Sequence, residues 1–118
     1  KGKPKKDADP AVAALLYPNG AKKEVTDEEI IERIMYPMIF ESARCLSDKI
    51  VSSAIEVDMG LLLGIGFPPF RTGALKYADD LGLSKIVETA KKYESLGKLY
   101  SPPENLKTLA SANQKFYK

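Results

Sequence analysis

The chain has 118 residues, 18 basic and 16 acidic, one cysteine and no histidine. That length allows one domain with a modest core and no need for a metal or disulfide staple. Without histidine there is no Ser-His-Asp or Cys-His arrangement, and Cys45 alone makes neither a zinc site nor an intrachain disulfide. One thiol suits a reducing compartment. Lys1, Lys3, Lys5 and Lys6 hold four of the positive charges behind the net +2; the remainder holds 14 basic and 16 acidic residues, which excludes a nucleic-acid surface on the folded body. Apolar runs reach about six residues, far below the ~20 of a membrane span, and no apolar segment follows the basic opening as in a signal peptide. The chain opens without methionine in what reads as linker, as a piece cut from a longer chain would.

Taken in order, the elements are all helical. Asp9-Pro10 is an N-cap with proline at the first helical position, opening a short apolar turn over Ala11–Leu16 that Pro18-Asn19-Gly20 ends. Residues 1–25 are assigned as linker with that short turn. Thr26-Asp27-Glu28-Glu29 is a capping box. The helix it opens runs to about Asp48, with Ile31, Ile34, Met35, Met38, Cys45 and Leu46 as its apolar stripe. Six apolar residues in a row, Met35–Phe40, imply burial on more than one side, and Pro37 should kink this helix without ending it.

Ser53-Ala54-Ile55-Glu56 opens the next helix, carrying Ile55, Met59, Leu62 and Leu63 and stopping at Gly64 or Gly66. Gly66-Phe67-Pro68-Pro69-Phe70 reads as a rigid apolar loop that is not helix. Thr72–Leu81 is a third helix, closed by Gly82; Ser84 opens a fourth, closed by Gly97; Ser101-Pro102-Pro103-Glu104 is a capping box for a last helix ending near Ala112. The helical domain is thus 26–112, with 113–118 a tail.

The candidate chemical sites reduce to structure. Gly64-Ile65-Gly66 lacks the preceding strand, following helix and third glycine of a dinucleotide loop. Glu28, Glu29 and Glu32 sit at a helix start, where carboxylates interact with the macrodipole. Asp79-Asp80 reads as solvated, Cys45 as core, and Arg71 more as a loop contact than an anion site. Leu61-Leu62-Leu63, Ile65, Phe67 and Phe70 are too many apolar groups for one corner of so small a domain, so some should face a partner. Leu62, Leu63, Phe67, Pro68, Pro69 and Phe70 are the candidate interface.

At this corner the sequence resembles a known family. Glu29-Ile30-Ile31-Glu32-Arg33-Ile34-Met35-Tyr36-Pro37-Met38, Ala43-Arg44-Cys45-Leu46, Glu56-Val57-Asp58-Met59-Gly60 and Gly64-Ile65-Gly66-Phe67-Pro68-Pro69-Phe70-Arg71-Thr72-Gly73 resemble the C-terminal domain of the multifunctional fatty acid oxidation enzyme, the alpha subunit of the bacterial complex. The resemblance covers nearly the whole chain. It implies a compact all-α multi-helix domain of the 3-hydroxyacyl-CoA dehydrogenase C-terminal, dimerisation type. It also implies a cytoplasmic parent with an enoyl-CoA hydratase/isomerase half, an NAD-binding dehydrogenase half and two related helical domains, working on acyl-CoA and assembling with a thiolase beta subunit.

This chain resembles the second helical copy, which buttresses the first in a dimer-like arrangement. The family's catalytic serine, histidine and glutamate lie in the NAD domain. Where the first copy has an asparagine before an arginine on the long helix, this chain has Glu32-Arg33. The expectation is a scaffold without catalytic, cofactor-binding or metal residues of its own, free to form a weak homodimer when alone. Two alternatives stand beside it: a domain donating a side chain such as Arg71 to acyl-CoA or NAD, and an independent helical interaction module.

Overall fold

The computed structural model describes residues 9–18 and 24–117, so the Lys-rich opening and most of Pro18-Asn19-Gly20 lie outside the described residues. Six α-helices follow one another: α1 Pro10–Leu16, α2 Asp27–Ser47, α3 Ala54–Ile65, α4 Ala74–Leu81, α5 Leu83–Ala90 and α6 Glu104–Ser111. Short 3-10 segments at Pro69–Arg71, Lys91–Leu96 and Lys98–Tyr100 join them, and the described residues contain no strand. The all-α expectation is met. α1 is capped as its sequence dictates, Asp9 accepting the Ala11 N–H at 2.9 Å, yet none of its residues is buried.

The centre of the fold is α2, which packs against α3, α4, α6 and the 98–100 segment. Thr26 caps it by accepting the Glu29 N–H, and the helix continues through Pro37. Its core side is Tyr36, Ile39, Phe40 and Ala43, together with Glu32 and Ser42. That corrects the expected stripe: Ile31 and Ile34 are exposed and Met35 and Met38 only partly buried. Cys45, expected in the core, is half-buried. Leu75, Ala78, Leu83, Ile86, Ala90 and Leu106 complete the interior from α4, α5 and α6.

Several local expectations need revision. Pro69–Arg71 winds into one 3-10 turn rather than remaining loop, and α4 starts two residues late because Thr72 has φ 66° and Gly73 is extended. α5 starts at Leu83, not Ser84; the Ser84 hydroxyl donates to the Ala110 carbonyl instead. Beyond Ala90 the helix tightens to 3-10 before Gly97. The box at Ser101 does not form, since Pro103 holds the N-cap position of α6 and no side chain caps it. The other two caps are real: Ser53 accepts the Glu56 N–H, and Gly66 ends α3 in the left-handed conformation at φ 68°.

Two buried aspartates hold the α3–α4 corner. Asp58 accepts the N–H groups of Leu75 and Lys76, both at 2.9 Å, so it caps α4 from the neighbouring helix. Its Oδ2 also accepts the Tyr117 hydroxyl at 2.7 Å. Gly73 makes the approach fit: a Cβ there would lie 2.2 Å from the Asp58 Cβ. Asp79, expected to be solvated, is buried and accepts the N–H groups of Phe116 and Tyr117 at 2.9 Å each. The stretch read as a tail is thereby fastened to α4, and the Tyr117 ring to α3.

Candidate functional site

α2 is apolar on two sides, and only one is used by the core. On the other, Ile30, Ile31 and Ile34 stand 45%, 51% and 60% exposed. Facing them is the 67–71 segment, where Phe67 is buried as an anchor and Phe70 is 82% exposed. Between the two walls, over Met35 and Tyr77, lies an apolar groove of about 280 Å³. It shares Ile31, Met35 and Tyr77 with a second hollow of about 290 Å³ that continues toward Glu28, Leu81 and Lys85. Together they form one largely apolar trough along the first half of α2, whose charged lining residues are Glu28, Glu32, Lys85 and Arg71.

Arg71 marks the loop end. Its guanidinium lies 5.4 Å from the Phe70 ring centroid and 4.9 Å from that of Tyr77, which fixes the loop to α4 by cation–π contact. Among the described residues it has no carboxylate within salt-bridge distance.

Of the six residues singled out from the sequence, three line the trough: Phe67, Pro68 and Phe70, with Phe67 belonging to the core. Pro69 is exposed at the start of its 3-10 turn. Leu62 is half-buried on α3, and Leu63 is 77% exposed, outside the trough lining. In the other wall, Ile31 and Ile34 belong to the stripe expected in the core, and Ile30 stands beside them outside that stripe. The signal that could have found it was the breadth of the apolar run in α2, wider than one buried face requires.

Two of the three glutamates at the start of α2, Glu29 and Glu32, have internal partners. Glu32 is buried and accepts the Tyr93 hydroxyl at 2.5 Å, a bond across 61 residues that ties the Lys91–Leu96 segment to α2; Glu29 pairs with Arg33 at 3.5 Å. Reading Glu32 as a capping charge is therefore corrected. Burial first, and then the Glu32 carboxylate, raises the Tyr93 phenol above its ordinary pKa and keeps it neutral and donating. These groups edge a polar hollow of about 420 Å³ with Lys92 and Ser95. Of its three carboxylates, Glu32 is committed to Tyr93 and Glu29 to Arg33, while Glu28 is exposed at the helix start. Gly64-Ile65-Gly66 is the last turn and cap of α3, a geometry that offers no phosphate-cradling loop. Among the described residues no cluster of three metal-ligating side chains occurs, and no helix is long and apolar enough to cross a membrane.

No protein-family model matches the chain. Individual relatives do. The chain is 51% identical to the fatty acid oxidation complex subunit alpha of Pseudomonas savastanoi pv. phaseolicola, 50% to that of Pseudomonas syringae pv. tomato and 49% to that of Pseudomonas aeruginosa. Each match covers 99% of this chain but only 16% of the relative. From end to end, then, the chain is homologous to one segment of the fatty acid oxidation complex alpha subunit, and the family resemblance is borne out over its whole length.

Proposed function

We propose that the chain is a non-catalytic scaffold and interaction domain of a fatty acid β-oxidation multifunctional enzyme. In this reading the parent joins an enoyl-CoA hydratase/isomerase to an NAD-dependent L-3-hydroxyacyl-CoA dehydrogenase, acts in the cytoplasm and works beside a thiolase beta subunit. The domain buttresses the preceding helical domain, and the NAD and acyl-CoA sites belong to the rest of the parent. The observation that supports this is the trough: three exposed isoleucines on α2 face an exposed phenylalanine across a groove whose one charged lining residue is Arg71. A surface of that kind is stabilised by covering it with another apolar face.

The test is a full-length alpha subunit carrying Ile34→Asp and Phe70→Ser at these positions. A buttress predicts a lower unfolding temperature for the whole subunit with the acyl-CoA KM of surviving enzyme unchanged. Full stability of that variant would defeat the reading.

One observation favours the alternative role in ligand binding. Arg71 sits at the rim of the trough, stacked on two rings and without a carboxylate partner among the described residues, so its charge is available to a phosphate. Arg71→Met raising the KM for acyl-CoA or NAD with stability kept would favour that role over the buttress.

A further inference from the structure

Three carboxylates are buried among the described residues, and Glu32 is the least satisfied of them. Asp58 accepts three hydrogen bonds and Asp79 two, whereas Glu32, 8% exposed, accepts one, from the neutral Tyr93 hydroxyl to Oε2. Among the described residues its Oε1 has no hydrogen-bond partner, and no cation pairs with it. Every fully covered side-chain polar atom there does have a partner, so Oε1 keeps a little surface of its own. Glu32 lines both the polar hollow and the apolar one of about 290 Å³, and that surface opens into them.

We propose, resting on the buttress reading of the trough, that Glu32 receives a lysine or arginine side chain from another part of the longer subunit, its stem in the apolar hollow and its cation on Oε1. A buried carboxylate with one neutral donor is unfavourable, and a well-placed cation offsets that cost. Long basic side chains lay an apolar stem along such a surface, and Ile31, Met35, Tyr36, Tyr77 and Leu81 line the hollow for it. Glu28, exposed one turn before Glu32, adds a second negative charge at that end. Lys85 and Lys92 edge the two hollows, but both are exposed and neither lies within salt-bridge distance of Glu28 or Glu32. Nor does α1 fit as the occupant, since Pro10–Leu16 is uncharged.

Glu32→Gln keeps an acceptor for Tyr93 and removes the charge. In the 118-residue chain, thermal unfolding followed by circular dichroism should show a midpoint unchanged or raised, because an unpaired buried charge is relieved. In the full-length alpha subunit, calorimetry should show the midpoint lowered by on the order of 3 °C, because a pair is broken. A subunit no more sensitive than the isolated chain overturns the proposal. If Ile34→Asp with Phe70→Ser destabilises the subunit and Glu32→Gln does not, the cation falls and the buttress stands. The isolated chain gives a second readout, by nuclear magnetic resonance titration with n-hexylguanidinium and n-hexanol. The cation should bind with a Kd on the order of 1 mM, at least ~tenfold more tightly than the alcohol, and Glu32→Gln should erase the difference. Equal binding of the two probes, or binding of hexanoate in place of the cation, would overturn the proposal as well.

Discussion

Asp58→Ala should be among the most damaging single substitutions in this domain. The carboxylate is 2% exposed and accepts three hydrogen bonds, from the Leu75 and Lys76 amides and the Tyr117 hydroxyl. Truncation leaves two amides at the start of α4 without their acceptor and frees the ring that fastens the C-terminal stretch. Loss of a helix cap costs about 0.5–2 kcal/mol, and each buried donor left unpaired costs about 1–3. With partial access of water the total comes to about 3–4 kcal/mol, a large share of the ~5–15 kcal/mol available to a domain. At roughly 4 °C per kcal/mol for this chain length, the midpoint should fall by about 12–16 °C. Asp58→Asn, which keeps one acceptor oxygen but turns a donor toward donors, should cost somewhat less. Tyr117→Phe should cost about 1 kcal/mol, and less than that in the Asp58→Asn background, because the two changes remove one shared bond. Thermal and urea unfolding followed by circular dichroism measure all of these. A loss below ~1 kcal/mol for Asp58→Ala would refute the view that a side chain from α3 caps α4.

Other outcomes follow from the same geometry. Gly73→Ala should be severely destabilising, and Asp58→Ala should not rescue it, because the nearest atom is the Asp58 Cβ, which alanine retains. Phe67→Ser should cost about 3–4 kcal/mol as a core truncation, whereas Phe70→Ser, three residues away and 82% exposed, should change the stability of the isolated chain by less than ~0.5 kcal/mol; equal effects in urea titrations would contradict the division between anchor and trough wall. Stability should fall above about pH 10: burial, aided by Glu32 and Asp58, raises the Tyr93 and Tyr117 phenols in the folded state, so the unfolded chain releases those protons first. Tyr93→Phe should make that alkaline decline shallower, and an unchanged slope in pH-dependent unfolding would exclude Tyr93 as a source. Finally, isothermal calorimetry of the chain with NAD should give no saturable heat; a saturating isotherm would overturn the assignment of the cofactor site to the rest of the parent.

The sequence by itself determined most of the helix ends, since caps and stops are local events. Asp9, Thr26 and Ser53 accept amides two or three residues ahead, and Gly66 supplies a left-handed residue next to the turn it closes. The same local rule misread Ser101, because two prolines follow it and leave α6 to begin past them. Only the tertiary structure decided which residues the helices hide. α2 has apolar residues around much of its circumference, and the positions of α3, α4 and α6 select Ile39, Phe40 and Ala43 for the core while leaving Ile30, Ile31 and Ile34 outside. Likewise nothing in the neighbourhood of Asp79, Glu32 or Asp58 marks them as buried. Their partners are the amides of 116–117, the Tyr93 hydroxyl and the start of α4, which lie 17 to 61 residues away in sequence. A buried carboxylate is retained only where donors converge on it, and that convergence comes from the packing of distant elements, which no spacing along the chain records.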